Sequence, residues 1–244
     1  MDLHTHTIAS GHAYNTLYEM VHAAADKKVQ LLGVTDHAPM VPGACHPFYF
    51  RNFRVIPRVL FGVNLMMGCE LNIIDYDGTI DLEPEYRKRL DFAIASIHEQ
   101  CYEVGSTAQN TAAYLAAMKN PDVHIIGHPD DGRVPVDFET LVCAAKEAHV
   151  LLEFNASSLH PRSHRVNSRA NYITMLELCR RYQVSIILDS DAHCAEDVAE
   201  HSRAHALLRE IDFPEELVVN SSMEKAAEYI PYLANLLDNG GLQQ

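Results

Sequence analysis

Residues 31–37 read LLGVTDH, an apolar run of strand length that ends in His37. The same arrangement recurs along the chain, where short apolar runs end in residues that bind metal ions well. The predicted strands are residues 2–7, 31–37, 64–72, 92–98, 123–128, 150–155 and 185–191, with residues 216–220 as a candidate for a short eighth. Each of the seven except 150–155 carries a candidate metal ligand at or just past its C-terminal end.

Longer segments between the strands have apolar residues three and four positions apart, as in helices that pack on a sheet. Ser106 and Asp137 precede two of these segments and are predicted N-caps. The alternation of strands and helices predicts repeated βα units and a parallel sheet. The predicted helices are residues 17–28, 107–119, 137–149, 172–183 and 196–211.

The number of βα units decides between two α/β architectures. Seven or eight units in 244 residues fit a closed barrel better than an open doubly wound sheet. Candidate ligands at the ends of many strands also favour a barrel, since an open sheet gathers ligands mainly at one switch point. No low-complexity or Pro-rich stretch interrupts the chain, so we expect residues 1–244 to form a single domain.

Composition excludes several classes of protein. Hydrophobic residues make up 48% of the chain and charged residues 21%, as is ordinary for a globular enzyme. A formal charge of −14 argues against binding to polymeric nucleic acid, which needs clustered Lys and Arg. No apolar run approaches the roughly 20 residues of a membrane span. Six scattered cysteines without a C-x-x-C pair, and an N-terminus without a signal peptide, lead us to expect a cytoplasmic protein.

Two short motifs near the ends of the chain indicate a metal site. In His4-Thr5-His6 the imidazoles are two apart on a predicted strand and therefore project from one side of it. Asp191-Ala192-His193 repeats this spacing with a carboxylate and an imidazole, a mixture suited to Zn, Mn or Fe. Two nearby histidines among fifteen are often accidental, but two such pairs are much less so.

Glu70 follows an apolar run and would be a costly buried charge unless a cation meets it. The alternative is a salt bridge to Lys or Arg. Together these patterns predict a multinuclear centre, for which the candidate ligands are His4, His6, His12, His37, Glu70, His98, His128, Asp191 and His193.

The ordered motifs DLHTHT, GHAYNT, TDHA, GCELNI, SIHE, GHP and SDAH resemble those of the PHP (polymerase and histidinol phosphatase) superfamily, specifically its YcdX-like phosphatases. The resemblance implies a distorted seven-stranded βα barrel, a TIM-like (βα)7 fold, that holds three divalent metal ions, usually zinc and sometimes manganese or iron. It further implies that one ion is held by His4, His6, Glu70 and Asp191. Glu70 would also bridge to a second ion at His98 and His128, and a third would be held by His12, His37 and His193.

Closely spaced divalent ions present hydroxide near neutral pH and neutralise phosphoryl oxygens. The sequence therefore predicts a phosphatase that hydrolyses a small phosphomonoester, with Glu70, Asp191, His98 and His128 as the catalytic residues. A polar loop at residues 157–169 offers Arg162 as a phosphate clamp, since a guanidinium pairs with two phosphate oxygens, with His160 and His164 as further candidates. A solvated loop arginine is the alternative for Arg162.

Two other functions fit the same metal pattern. One is a phosphodiesterase or nuclease acting on nucleotides or DNA ends, which the acidic charge and the absence of a Lys/Arg stripe disfavour. The other is a non-catalytic metal-binding protein. Nine protein groups for three ions leave coordination positions open, which favours catalysis over storage.

Overall fold

The computed structural model describes residues 1–241. Its strands are short and, apart from β2, buried along their whole length, as expected for a parallel sheet covered on both faces. They are β1 Leu31–Val34, β2 Val59–Leu60, β3 Val63–Met67, β4 Cys69–Asn72, β5 Ala93–Ser96, β6 Ile125–Ile126, β7 Leu151–Asn155 and β8 Ile186–Asp189.

Strand pairing forms two sheets. One has the order β1-β3-β2, in which β1 and β3 are parallel and β2 is antiparallel to β3. The other is fully parallel, in the order β4-β5-β6-β7-β8. The predicted strand 64–72 is divided between the two sheets at Gly68, where a Cβ atom would lie 2.9 Å from the backbone oxygen of Phe92.

Helices follow most of the strands and cover the outer faces of the sheets. Ser106 and Asp137 cap α4 and α5 as predicted, each accepting hydrogen bonds from backbone N–H groups of the first turn. The helices are α1 Leu17–Asp26, α2 Phe48–Arg51, α3 Pro84–Arg87, α4 Thr107–Ala117, α5 Phe138–Ala148, α6 Ser168–Tyr182, α7 Ser202–Glu210, α8 Met223–Ala227 and α9 Pro231–Asp238. No helix within residues 1–241 is both long and apolar enough to cross a bilayer.

The prediction of a regular strand at residues 2–7 is wrong. This segment is extended and lies between β1 and the end of β8, but it makes only single bridges, Asp2 to Leu32 and Thr5 to Ala192. Side chains take the place of ladder hydrogen bonds: the Leu3 N–H donates to Asp189 Oδ1 at 2.7 Å, and Thr5 Oγ1 donates to the Gly33 carbonyl at 2.6 Å.

The candidate strand 216–220 is also wrong, because 3-10 turns occupy Glu215–Leu217 and Val219–Ser221. The amide side chain of Asn220 bonds both the N–H and the carbonyl of Leu188, at 2.7 Å each, where a neighbouring strand would otherwise pair. The predicted helix 196–211 is likewise interrupted, since Ala199 has a positive φ of 55° and donates its N–H to Asp2 Oδ2.

An apolar cluster brings together residues of both sheets. Ala226 of α8, Ile230 just before α9 and Leu233 of α9 also belong to it. Each of the seven predicted strand segments contributes at least one buried residue, in chain order Leu3, Leu31, Met66, Phe92 and Ile94, Ile125, Leu151 and Ile187. The fold is therefore the predicted α/β distorted barrel, although its strands are joined by single bridges on both sides of residues 2–7 and not by continuous ladders.

Candidate metal centre

Six of the nine candidate ligands lie in or just past regular strands, and the other three, His4, His6 and His12, lie in or after the extended segment 2–7. Glu70 is within β4, and His98, His128 and Asp191 follow the ends of β5, β6 and β8 by two residues each. Their side chains are oriented by partners around the outside of the centre. The direction in which each ring points therefore decides what the centre can bind.

His4 and His98 each direct Nδ1 outward. His4 Nδ1 lies 2.6 Å from Glu153 Oε1, and His98 Nδ1 lies 2.7 Å from Asn72 Oδ1. Both partner oxygens accept hydrogen bonds, so the proton of each neutral ring is on Nδ1. Nε2 is then left with a lone pair that points inward, as a metal ligand requires.

His6 is oriented by a network behind it. Ser10 Oγ donates to Asp36 Oδ1 at 2.6 Å, so it accepts from His6 Nδ1 at 2.9 Å and from the His37 backbone N–H at 3.1 Å. Asp36 also accepts from the backbone N–H of Thr7 at 2.7 Å. The inward Nε2 of His6 is thus also without a proton.

His12 and His193 form the outer part of the centre. Their Nδ1 atoms donate to the backbone carbonyls of Ser10 and Asp191, at 3.2 and 2.9 Å. Their Nε2 atoms lie 3.0 Å apart. Two unprotonated nitrogens cannot hydrogen bond to each other, so this spacing suits a shared cation.

Four ligating atoms meet at the inner end of the centre. His4 Nε2 and His6 Nε2 are 3.0 Å apart and lie 3.3 and 3.4 Å from Glu70 Oε2. Asp191 Oδ1 lies 3.6 Å from the former nitrogen and 3.2 Å from the latter. Two imidazoles and two carboxylates within this distance form a donor set for a divalent transition metal.

The second carboxylate oxygen of Glu70, Oε1, faces another pair of histidines. Its Oε1 lies 2.8 Å from His128 Nε2 and 3.2 Å from His98 Nε2. Its Oε2 lies 2.8 Å from His37 Nδ1, yet neither atom has a hydrogen bond although both are buried. Buried polar atoms without partners are costly, and a cation between them would satisfy both.

The pKa values of the acids fit a site that holds positive charge. Burial acts to raise the pKa of the Glu70 carboxyl, but the surrounding imidazoles, above all His4, hold it well below its usual value. The pKa of Asp191 is lowered in the same way against burial, chiefly by His4, and the guanidinium of Arg165 contributes to this lowering. Both acids are therefore ionised at neutral pH.

The histidines divide into two kinds. Burial would lower the pKa of His4, but Glu153 and Glu70 outweigh it and hold the pKa well above the usual value. Burial and repulsion from His193 lower the pKa of His6 well below its usual value, and that of His12 to about 4. Neutral rings at His6 and His12 are suited to bind a metal ion, whereas at His4 a bound ion would displace the Nε2 proton that the raised pKa favours.

The residues present therefore fit bound divalent ions. Three sets of residues each have ligating atoms within 4.8 Å of one another. These sets are His4, His6 and Glu70; His37, Glu70 and His98; and His6, His37 and His193. His37 thus lies near both Glu70 and His193, so the structure brings the nine predicted ligands together without assigning each to one ion.

Several residues of the centre were not predicted from the sequence. Glu153 is buried in β7, and its Oε2 accepts the backbone N–H of His128 at 2.6 Å while Oε1 contacts His4. Asn155 donates to Glu153 and to Asp191 Oδ2. A signal was present in LLEFN, where Glu153 is a charge within an apolar run, as Glu70 is.

A cavity of about 930 Å³ opens above the centre and is lined by Glu70, His98, His128 and Asp191. Arg162, His160 and His164, the predicted substrate contacts, also line it. Arg162 is exposed and its side chain forms no ion pair within residues 1–241.

Arg165 lies deeper in the cavity wall than Arg162. Its Nη2 donates to Asp191 Oδ2 at 3.1 Å, and its Nη1 donates to Ser158 Oγ at 2.9 Å. Burial would lower the pKa of this guanidinium, but Asp191 and Asp130 raise it above the usual value. Arg165 is thus a fixed positive charge between the ligand Asp191 and the cavity.

Fold and site together define an α/β protein with a distorted βα barrel and a cluster of His, Glu and Asp side chains that could hold divalent metal ions. A family model for the PHP domain matches residues 2–159, and the chain belongs to this family. The recognition made from the sequence motifs is thereby confirmed.

Curated relatives match almost the whole chain. A protein of Clostridium novyi (strain NT) named "Probable phosphatase" is 41% identical over 238 residues, covering 98% of this chain and 97% of its own. A protein of the same name from Caldicellulosiruptor saccharolyticus is 44% identical over 230 residues, covering 94% and 95%.

Among solved structures, the histidinol phosphate phosphatase of Lactococcus lactis, complexed with zinc, L-histidinol and phosphate, has a TM-score of 0.58. It is 16% identical and the match covers 87% of this chain and 94% of that one. A chain in a cryo-EM structure of archaeal ribonuclease P with mature tRNA has a TM-score of 0.56 at 15% identity, covering 97% and 93%. At these identities the structural likeness shows the shared fold.

Proposed function

We propose that this protein is a metal-dependent phosphatase that hydrolyses a small phosphomonoester at a centre of three divalent ions, with zinc favoured over manganese or iron. The observation that carries the proposal is the set of inward-facing Nε2 atoms and ionised carboxylates at the base of one cavity. The names of the relatives support a phosphatase, and the zinc, histidinol and phosphate of the Lactococcus lactis structure support a metal ion and a small phosphorylated substrate. A cytoplasmic location is part of the proposal.

The distances support the assignment of ligands that the family resemblance implies. In this assignment Glu70 would be shared by two ions, because its two oxygens face different groups of histidines. His4, His6, Glu70 and Asp191 would hold one ion, Glu70, His98 and His128 a second, and His12, His37 and His193 a third. His37 Nδ1 also lies 2.8 Å from Glu70 Oε2, so a third ion held by His37 would lie next to the other two.

Bound divalent ions would lower the pKa of a water molecule and offset the charge of the phosphoryl oxygens. The protein holds Glu70 and Asp191 ionised for this purpose, and it fixes the rings of His4 and His98 through Glu153 and Asn72. Rigid ligands keep their geometry during the reaction, which is how a metal site supplies pre-organised electrostatic stabilisation.

The substrate phosphate would meet the guanidinium groups of the cavity wall. Arg165 contributes a buried positive charge, and its Nε has no partner among the contacts of residues 1–241. Arg162 at the rim has no carboxylate partner there and is free to pair with phosphate oxygens. His160 and His164 line the same side of the cavity and would contact the remainder of the substrate.

Metal content and activity test the proposal together. Untagged protein analysed by elemental mass spectrometry should contain about three ions per chain, and it should hydrolyse members of a panel of small phosphomonoesters. Glu70→Ala and His98→Ala should each reduce kcat/KM at least about 100-fold, since metal chemistry supplies several kcal/mol of transition-state stabilisation.

His22→Ala is a matched control, because His22 is exposed on α1, where it pairs with Asp26 and contacts the Phe61 ring, and it does not line the cavity above the candidate ligands. Wild-type activity in Glu70→Ala or His98→Ala at full metal loading would contradict the mechanism. One ion or none per chain, unchanged after reconstitution, would contradict the metal centre itself.

A further inference from the structure

A second pocket is lined in part by residues of α2. Its volume is about 370 Å³, at the lower end of the range for small-molecule sites. It shares no lining residue with the cavity above the metal centre. Five residues line it, and these are Phe48, Arg51, Asn52, Arg54 and Arg89.

Three arginines in one pocket are unexpected in a chain with a formal charge of −14. Arg51, Arg54 and Arg89 are exposed, and within residues 1–241 none of them forms an ion pair with a carboxylate. Most other arginines of the protein do form one, as Arg58 does with Asp91 and Arg87 with Asp122. Like charges held together in this way repel one another unless an anion joins them.

The other arginines without a carboxylate or backbone partner also lie mainly at a pocket. Arg162 and Arg203 line the cavity of the metal centre, where a phosphorylated substrate is proposed to bind. Within residues 1–241, six arginines have neither a carboxylate nor a backbone partner. Five of them line one of the two pockets, and Arg209 is the exception.

The pocket is built on a firmly anchored element. Phe50 and Phe53 are buried beside it, and Tyr49 Oη donates to Asp36 Oδ2 at 2.8 Å on the inner side of α2. Helix α2 also packs against α3, after which Arg89 follows. A pocket with a fixed backbone loses little conformational entropy when a ligand binds.

Phe48 indicates that the ligand also has an apolar part. Its side chain is 60% exposed at the pocket, which leaves a ring face for contact with an apolar or aromatic group. Guanidinium groups pair with phosphoryl oxygens in a bidentate manner. We propose that this pocket is a second, non-catalytic binding site for a small organic phosphate, in which the arginines hold the phosphoryl group and Phe48 contacts the organic part.

A small molecule fits the pocket better than a polymer. A nucleic-acid backbone needs a positive stripe that extends over several phosphates, whereas these arginines surround one pocket on an acidic protein. The ligand class therefore differs from that of a nucleic-acid interface.

Isothermal titration of the metal-loaded protein with phenylphosphonate tests the proposal. This probe combines a phosphoryl dianion with a ring, and its carbon–phosphorus bond resists phosphatase hydrolysis. Wild type should bind it at the arginine pocket in addition to any binding at the metal centre. We expect the triple variant Arg51→Gln/Arg54→Gln/Arg89→Gln to bind phenylphosphonate at the arginine pocket at least tenfold more weakly. Binding at the metal centre should be unchanged.

Lys28→Gln/Lys119→Gln/Arg209→Gln is the matched control, because it removes three exposed positive charges elsewhere and should retain all binding. Phe48→Ala should weaken the pocket event for phenylphosphonate but not for inorganic phosphate. Identical binding by wild type and the pocket variant would overturn the proposal. Binding of a single-stranded oligonucleotide that depends on the three arginines and exceeds that of phenylphosphonate would overturn the ligand class. Because the readout is binding, the result does not depend on whether the metal centre is a phosphatase.

Discussion

Glu153 shows how one residue behind the candidate metal ligands fixes their positions. Its two oxygens bond His4 Nδ1 and the backbone N–H of His128, at 2.6 Å each, so it fixes one ligand by its ring and another by its backbone. A carboxylate behind a metal-bound imidazole makes the ring a stronger ligand. Replacement by glutamine removes this charge and one of the two acceptors.

Glu153→Gln should therefore weaken metal binding by roughly 10- to 100-fold, measured by competition with a chromogenic chelator. Activity should fall at limiting metal and recover at high metal concentration, because the ligands themselves remain. Glu147→Gln, an exposed position on α5, is the control. An unchanged metal affinity in Glu153→Gln would show that the carboxylate does not act on His4.

Asp91 gives a prediction about pH that is independent of the metal centre. It is buried next to β5, where it accepts the N–H of Met67 at 2.7 Å and pairs with Arg58 at 3.0 Å. Burial raises its pKa to about 6, against the opposing effect of these two partners. Between about pH 4 and 6 the folded protein then holds more protons than the unfolded chain, so stability contributed at this site falls as pH rises.

Asp91→Asn cannot titrate, so its free energy of unfolding lacks this term. The stability of wild type relative to Asp91→Asn should fall by about 1 kcal/mol between pH 5 and 7.5, as measured by urea denaturation. A difference that is constant with pH, or a carbon-detected NMR titration that places Asp91 near 4, would contradict the expected shift.

At the scale of the elements, hydrophobic periodicity predicts the parallel strands β1 and β3 to β8 and the helices α1, α4 and α5, because each has a regular apolar pattern. It fails where a side chain replaces a backbone partner. Asn220 occupies the edge of β8 in place of an eighth strand, and the Asp189 carboxylate takes the Leu3 N–H within residues 2–7. Leu3 and Asp189 are 186 positions apart, and Asn220 and Leu188 are 32 apart, so neither contact leaves a periodic signal in the sequence.

The candidate site shows the same division. Ligands such as Glu70 were predicted because a charge after an apolar run needs a cationic partner. Asp36 and Asn155 were not predicted, since they act through histidine rings and other ligands and carry no motif of their own. Arg165 could not be distinguished from Arg162 by sequence, because only the folded loop determines which guanidinium reaches Asp191.

At the scale of the whole molecule, the candidate metal centre lies at a seam of the barrel formed by residues 2–7 and their two neighbours. Residues 2–7 meet β1 and the end of β8 through single bridges, and the same segment provides His4 and His6. Asp191 comes from the end of β8 and Glu70 from β4, so bound ions would connect both edges of this seam. Ions that bind only the folded state stabilise it by mass action.

Removal of metal with a chelator should therefore lower the thermal stability and loosen this seam in particular. Free metal at 1,000 times its Kd would stabilise the folded protein by about 4 kcal/mol. Its removal should then lower Tm by roughly 8–16 °C for a chain of this size. Hydrogen exchange should increase most in residues 2–7 and 190–193, and zinc should restore both measurements. Arg162→Ala, at the cavity rim, should show the same decrease in Tm as wild type, whereas His4→Ala should show a much smaller one. If the chelated protein retained its Tm and its protection at residues 2–7, the buried imidazoles and carboxylates would be stable without a cation, and the metal centre would have no part in closing the barrel.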